Sequence, residues 1–227
     1  MPKTAAIDRR ILELTGVTRP KVAVLPQAAA TRQLGKTAAL ARNQWGRLGA
    51  QVFIVDPSSG LDRALDVLAN ADLTAIPGGH PNKLIARLGA SPLTDMLVSR
   101  WLEGMAVSGS SAGAMAAFEW RINLYPPDPL KPVPGLGLLD GFVAAPHFDR
   151  FSARRWAHRA LSRLGGLGVV GLDEATALIG RNATFEVVGA GMVTIVTEEG
   201  TAAFGPGDPI EVDLLRRRAS LLGLVPQ

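Results

Sequence analysis

The sequence predicts an α/β fold: a mostly parallel central sheet with helices on both faces, and a β-hairpin region toward the C-terminus. Three observations carry this expectation. Short apolar, β-branched runs alternate with longer stretches of helical period, the alternation that a parallel sheet with crossover helices requires. An apolar run turns abruptly into an Ala-rich one at "GMAVSGSSAGAMAAF", residues 104–118. From Val169 onward, short strand-like runs separated by glycine turns replace the helical period.

Taken in order, Val22-Ala23-Val24-Leu25 reads as the first strand, closed by Pro26. Apolar positions at helical spacing then run from about Thr31 to Leu48, and Gly49 supplies a stop. Val52–Val55 is the second strand, Leu61–Leu68 a short helix and Leu73–Ile76 the third strand. Residues 82–88 and 92–102 read as helices, and Met105–Val107 as a strand running into the Gly/Ser-rich junction at 109–113, after which Ala112–Phe118 starts a helix. The stretch "EWRINLYPPDPLKPVPGLGLLDG" is rich in proline and glycine and reads as an irregular lid or binding loop. Phe142–Ala145 is a strand ending at Pro146-His147, and Phe151–Leu164 a basic helix. Val169-Val170, Ala177–Ile179, Phe185–Val188 and Met192–Val196 are the short strands of the hairpin region.

A chain of 227 residues that is 47% hydrophobic and 19% charged builds one sizeable core, so residues 1–227 are expected to form a single domain. No internal repeat, low-complexity tract or linker interrupts it. The net charge is +4, but the cations are scattered apart from Arg154-Arg155 and Arg216-Arg217-Arg218, and aromatics do not interleave with them. Nucleic acid is therefore not an expected partner. With no cysteine, disulfides, thiolate metal sites and a cysteine nucleophile are excluded together. The opening "MPKTAAIDRRILELTG" has no continuous apolar segment and no stretch approaches a membrane span, so a cytoplasmic protein is expected.

Gly109-Ser110-Ser111-Ala112-Gly113 has the G-x-S-x-G spacing of a nucleophile elbow, in which a serine sits on a strained strand-to-helix turn. By itself the pattern is also that of an ordinary Gly/Ser turn. It lies, like the "PGGHPN" turn after the third strand, at the carboxyl end of a strand, where open α/β sheets collect their ligands. A serine hydroxyl needs a base and a group to orient that base. Only three histidines exist: His80, His147 and His158. His158 lies among arginines in the basic helix, His80 follows Gly78-Gly79, and His147 ends an apolar strand from which it can project into a crevice. Asp173-Glu174, at the end of another strand, can supply the orienting acid, with Asp128 of the proline-rich loop as the rival; both are equally at home as surface carboxylates or turn caps. Backbone N–H groups at Ala112 and in the Gly78-Gly79 turn can serve a developing oxyanion.

Four segments in this order, "IPGGHPNKL", "VSGSSAGAM", "PHFDRFSARR" and "GLDEATAL", resemble the S51 serine peptidases, the group of aspartyl dipeptidase (peptidase E) and cyanophycinase. The resemblance spans most of residues 20–200. It implies a class I glutamine amidotransferase-like fold with serine in place of the cysteine nucleophile. It further implies Ser111 as nucleophile, His147 as base, and Gly79 with Ala112 as the oxyanion donors, Gly78 lying beside the substrate. Glu174 matches the acid of cyanophycinase-like members, whereas in the dipeptidase branch an aspartate between serine and histidine has that role, for which Asp128 is the nearest candidate. Arg150 and Arg154 match basic positions that can hold a substrate carboxylate; they also fit as helix-surface arginines. The chain departs from the family pattern at His80-Pro81, where Asn or Asp and then Gln or Thr are usual.

The expected function is thus a serine peptidase acting on small, including aspartyl, peptides, as a monomer or homodimer, with no metal or organic cofactor and no membrane partner. The alternatives are an esterase or acyltransferase on the same elbow, and a non-catalytic binding module that keeps the fold.

Overall fold

The computed structural model describes residues 4–211 apart from 57, 59, 90, 182 and 183; the Arg216-Arg217-Arg218 cluster lies outside the described residues. The chain divides into two compact units, Asp8–Ala117 and a second that begins at Phe118 and takes in residues 4–7.

The chain opens with a helix that the sequence pattern does not announce, α1 (Ala5–Leu14). Its Leu12 packs into a cluster with Val22, Val24, Trp45 and Leu73. The first unit then runs β1 (Lys21–Val24), α2 (Leu34–Gly46), β2 (Gln51–Ile54), α3 (Leu61–Ala69), β3 (Leu73–Ile76), α4 (Pro81–Leu88), α5 (Pro92–Leu102), β4 (Ala106–Gly109) and α6 (Ala112–Ala117). The strands form one parallel sheet in the order β2-β1-β3-β4, flanked by the helices, as the alternating pattern predicts. Val22 to Leu25 and Leu73 to Ile76 are buried, which explains their continuous apolar character: strands covered on both faces have no polar side to show. Each Val, Leu or Ile fully withdrawn from water there contributes about 1.5–3 kcal/mol.

The chain leaves β1 toward β2 and leaves β3 toward β4, so the strand order reverses between β1 and β3. The loops after these two strands, beginning at Leu25 and Pro77, therefore flank the position where open α/β sheets place a ligand. Pro81 occupies the first turn of α4, where its missing N–H costs nothing and its fixed φ suits the helix. This gives the unusual His80-Pro81 pair a structural reason.

The second unit contains β5 (Trp120–Ile122), β6 (Pro132–Pro134), β7 (Phe142–Pro146), α7 (Phe151–Leu161), β8 (Gly168–Leu172), β9 (Thr176–Arg181), β10 (Thr184–Gly189), β11 (Val193–Thr197), β12 (Gly200–Phe204) and β13 (Pro209–Glu211). The proline-rich stretch is less irregular than its composition implies, because β5 and β6 pair antiparallel within it. Asn123 organises the intervening turn: its Nδ2 donates to the carbonyls of Tyr125 (2.7 Å) and Asp128 (3.0 Å), and its Oδ1 accepts from the Tyr125 N–H at 3.2 Å. The hairpin region also differs in one respect from expectation. β8 pairs parallel with β7 through the α7 crossover and antiparallel with β11, giving a mixed sheet ordered β12-β11-β8-β7. β9 and β10 form a hairpin extended by β13, and β11 and β12 form another.

The basic helix α7 packs by its small residues. Ala153, Ala157 and Ala160, at helical spacing, join Val143, Ala145, Phe148, Val169 and Val196 in one cluster, together with Leu164, which lies in the turn beyond the helix rather than in it as the sequence pattern predicts. Two glycines of β8 make room for rings: a Cβ at Gly168 would stand 2.3 Å from the Phe142 ring, and one at Gly171 2.4 Å from that of Phe148.

Candidate active site

Ser111 sits between the last residue of β4 and the first of α6 with φ at +51°, a left-handed conformation that costs a non-glycine residue roughly 1–2 kcal/mol. The turn is tight because the helix starts almost on top of the sheet. The Ser110 N–H donates to the Ile76 carbonyl at 3.0 Å, and the Gly113 N–H to the Ser110 carbonyl at 2.9 Å. A Cβ at Gly113 would lie 2.0 Å from the Ile76 oxygen, and one at Gly109 2.6 Å from the Gly113 carbonyl. Neither position can hold a side chain. Both glycines of the G-x-S-x-G pattern are therefore demanded by backbone packing, and Ala112 through Ala116 are buried behind the serine.

The Gly78-Gly79 turn faces this elbow. A Cβ at Gly78 would stand 3.1 Å from the Ser111 Cβ and 3.7 Å from its Oγ, so the main chain passes directly beside the hydroxyl. Gly79 has φ at +151°, and a Cβ there would come within 2.3 Å of the Ala28 carbonyl oxygen. The His80 N–H donates to that same oxygen at 2.8 Å. The loop after β1 thus clamps the loop after β3. It is held in turn by Arg87 of α4, whose guanidinium donates to the carbonyls of Gln27 (2.8 Å) and Ala29 (2.7 Å) and to the Thr31 hydroxyl at 3.0 Å. Sequence reasoning missed Arg87: a helix arginine with a partner 60 positions away leaves no local signal.

In the second unit, the turns that follow β7 and β8 are stitched together. His147 has φ at +60° and Ala175 at +53°. His147 Nδ1 lies 2.8 Å from Glu174 Oε1, and since a carboxylate oxygen can only accept, Nδ1 carries the proton. In the neutral ring Nε2 is then the acceptor. Arg150 Nη2 donates to the same Oε1 at 2.9 Å. The Phe148 N–H donates to the Leu172 carbonyl at 2.9 Å, and the Glu174 N–H to Asp149 Oδ1 at 3.2 Å.

The neighbouring Asp173 points elsewhere. Its Oδ2 accepts from the Met192 N–H at 2.9 Å, tying the end of β8 to the turn before β11. Of the two carboxylates in "LDEA", Asp173 braces the strands and Glu174 faces the histidine. Asp128 sits exposed in the β5–β6 turn, where its carbonyl accepts from Asn123. Arg154 donates through Nε to the Phe148 carbonyl at 2.9 Å, and its guanidinium carbon lies 5.9 Å from the Phe148 ring centroid. His158 lies in the last turn of α7. Among the described residues, no three His, Asp or Glu side chains are grouped to hold a metal ion, and no helix is long and apolar enough to cross a membrane.

Within the first unit, a serine held in a left-handed conformation at a strand-to-helix turn of a parallel α/β sheet has the local geometry of a nucleophile elbow. The chain belongs to peptidase family S51, whose model matches residues 1–188. It is therefore a member of a peptidase family. Among solved structures, a peptidase from an acI-B1 actinobacterium is similar over 93% of this chain and 92% of its own, with a TM-score of 0.79 and 24% identity. A putative peptidase E protein from Listeria monocytogenes EGD-e is similar over 88% of this chain and 95% of its own, with a TM-score of 0.59 and 12% identity. At these identities the likeness is one of fold. No curated protein matches the chain.

Proposed function

We propose that the protein is a serine peptidase that hydrolyses small peptides, aspartyl peptides among them, through an acyl-enzyme on Ser111. The observation that carries this reading is the elbow: a serine held at φ +51° by two glycines that nothing larger can replace. Backbone strain of that kind persists where the surrounding packing over-determines it, and it turns the side chain away from the sheet toward a substrate.

Ser111 Oγ attacks the peptide carbonyl carbon as its proton passes to His147 Nε2. Glu174, the acceptor of the Nδ1 proton, stabilises the imidazolium that forms. The N–H groups of Gly79 and Ala112 receive the negative charge on the carbonyl oxygen, while Gly78 lets the substrate approach the hydroxyl. His147 then gives its proton to the leaving amine as the C–N bond breaks. Water attacks the resulting ester, passing a proton to His147, and as the C–O bond to Ser111 breaks His147 returns that proton to Ser111 Oγ and the acid is released. Residues 1–227 act in this reading as one peptidase domain.

The test is amine release from a panel of dipeptides and short peptides, α- and β-aspartyl bonds included, by the wild type and Ser111→Ala, with fluorophosphonate labelling in parallel. Release that depends on Ser111 supports the reading and identifies the substrate. Labelling without release from any peptide points to an ester or acyl-transfer substrate. Absence of both would falsify the serine peptidase reading and leave a binding module.

A further inference from the structure

We propose that Arg150 is a positioning residue for the histidine–glutamate pair, and that it serves Glu174 in place of a substrate carboxylate. This rests on the serine peptidase reading above. His147 Nδ1 and Arg150 Nη2 converge on one atom, Glu174 Oε1, at 2.8 and 2.9 Å. The Glu174 side chain is 47% exposed, so packing does not fix its rotamer. With the imidazole as its only donor, the carboxylate can swing away as the ring turns. A second donor on the same oxygen removes that freedom.

The arginine is suited to this by its own anchoring. Its N–H donates to the His147 carbonyl at 3.1 Å, so it rides on the same turn as the histidine it supports. His147, Arg150 and Glu174 thereby close a ring that includes one backbone and two side-chain hydrogen bonds. The guanidinium meets the carboxylate through Nη2, a hydrogen bond between oppositely charged groups and so stronger than one between neutral groups. Arg154, the other arginine matched to a basic position, is directed to the Phe148 carbonyl and ring. Both arginines brace the turn that carries the histidine.

The two roles for Arg150 make opposite demands on a probe without a carboxylate. A positioning residue is needed for any attack by Ser111, whereas a substrate-binding arginine matters only to anionic substrates. The experiment measures the rate at which a neutral alkyl fluorophosphonate labels wild type, Arg150→Met, Arg150→Lys and Glu174→Gln, together with kcat and KM for acidic and neutral peptides. Arg150→Met is expected to slow labelling roughly 10- to 100-fold, lowering kcat for both peptides at nearly unchanged KM, with Arg150→Lys recovering part of the rate. Combined with Glu174→Gln it should cost little more, since both changes break the same contact. Unchanged labelling with KM raised only for acidic peptides overturns the proposal and returns Arg150 to the substrate.

If wild type is neither labelled nor releases amine from any peptide, the peptidase reading fails, and the positioning claim is decided by the His147 ring ¹⁵N shifts. A protonated Nδ1 in wild type that becomes a tautomer mixture in Arg150→Met upholds it. The same tautomer in both refutes it.

Discussion

Backbone packing shapes the serine turn, where a Cβ at Gly113 would lie 2.0 Å from the Ile76 oxygen. The histidine–glutamate pair depends instead on side-chain hydrogen bonds between residues 27 positions apart, both more than a third exposed. The first is a steric solution: remove a glycine and the sheet, the turn and the helix no longer fit. The second is a network whose members can be exchanged one at a time without disturbing a core. The difference teaches where each half is vulnerable. Changes at the elbow glycines should strike stability and activity together, whereas changes at the Ser111 hydroxyl or in the network should strike activity alone.

Four substitutions test that contrast, and a fifth sets its lower bound. Ser111→Ala keeps the backbone and should abolish peptide hydrolysis, a loss of roughly 10³-fold or more, with little change in melting temperature. Glu174→Gln should lower kcat by about 10²- to 10⁴-fold by admitting the wrong imidazole tautomer, while an exposed ion pair leaves stability within about 1 kcal/mol. Comparable melting curves for these two variants and the wild type would uphold the separation; a large thermal shift in Glu174→Gln would break it. Gly113→Ala should cost about 3 kcal/mol in chemical denaturation and abolish activity with it, because the added methyl meets backbone and has nowhere to move. A stable, active Gly113→Ala would remove the steric account of the elbow.

Smaller effects sharpen the picture. Arg87→Ala removes the donors that hold the loop facing Gly79 and should destabilise by about 1–3 kcal/mol, with activity falling as the loop loosens. Glu103, exposed at the C-terminal end of α5, should matter least. Its hydrogen bond from Arg100 holds its carboxyl below the usual range. A depressed folded value stabilises above the unfolded value, and the contribution is lost as pH falls through the folded one. The melting temperatures of Glu103→Gln and wild type should therefore differ slightly at neutral pH and converge on acidification.

Much of the first unit was legible because its signals are local. The alternation of buried strands and helices, the glycine pair at positions 78 and 79, and the G-x-S-x-G spacing each arise from neighbours in the chain. The hairpin inside the proline-rich stretch was not legible, since Pro132 and Pro134 read as loop residues until pairing with β5 places them on an edge. The N-terminal helix was overlooked for a related reason: in Ala5–Leu14 charged residues interrupt the apolar positions, and only the cluster around Leu12 reveals which face is buried.

By itself, the sequence determined that this is a parallel α/β protein with a serine on a strand-to-helix turn, because strand burial and glycine sterics act over a few residues. The partners of the charged groups were decided by tertiary structure alone. Asp173 and Glu174 are adjacent and chemically alike, yet one accepts from the Met192 N–H and the other from His147 and Arg150. Arg87, Arg150 and Arg154 look alike in the sequence and go to a loop, a carboxylate and a carbonyl. A long side chain takes whatever acceptor folding brings within about 3 Å, and that acceptor is set by how distant turns meet.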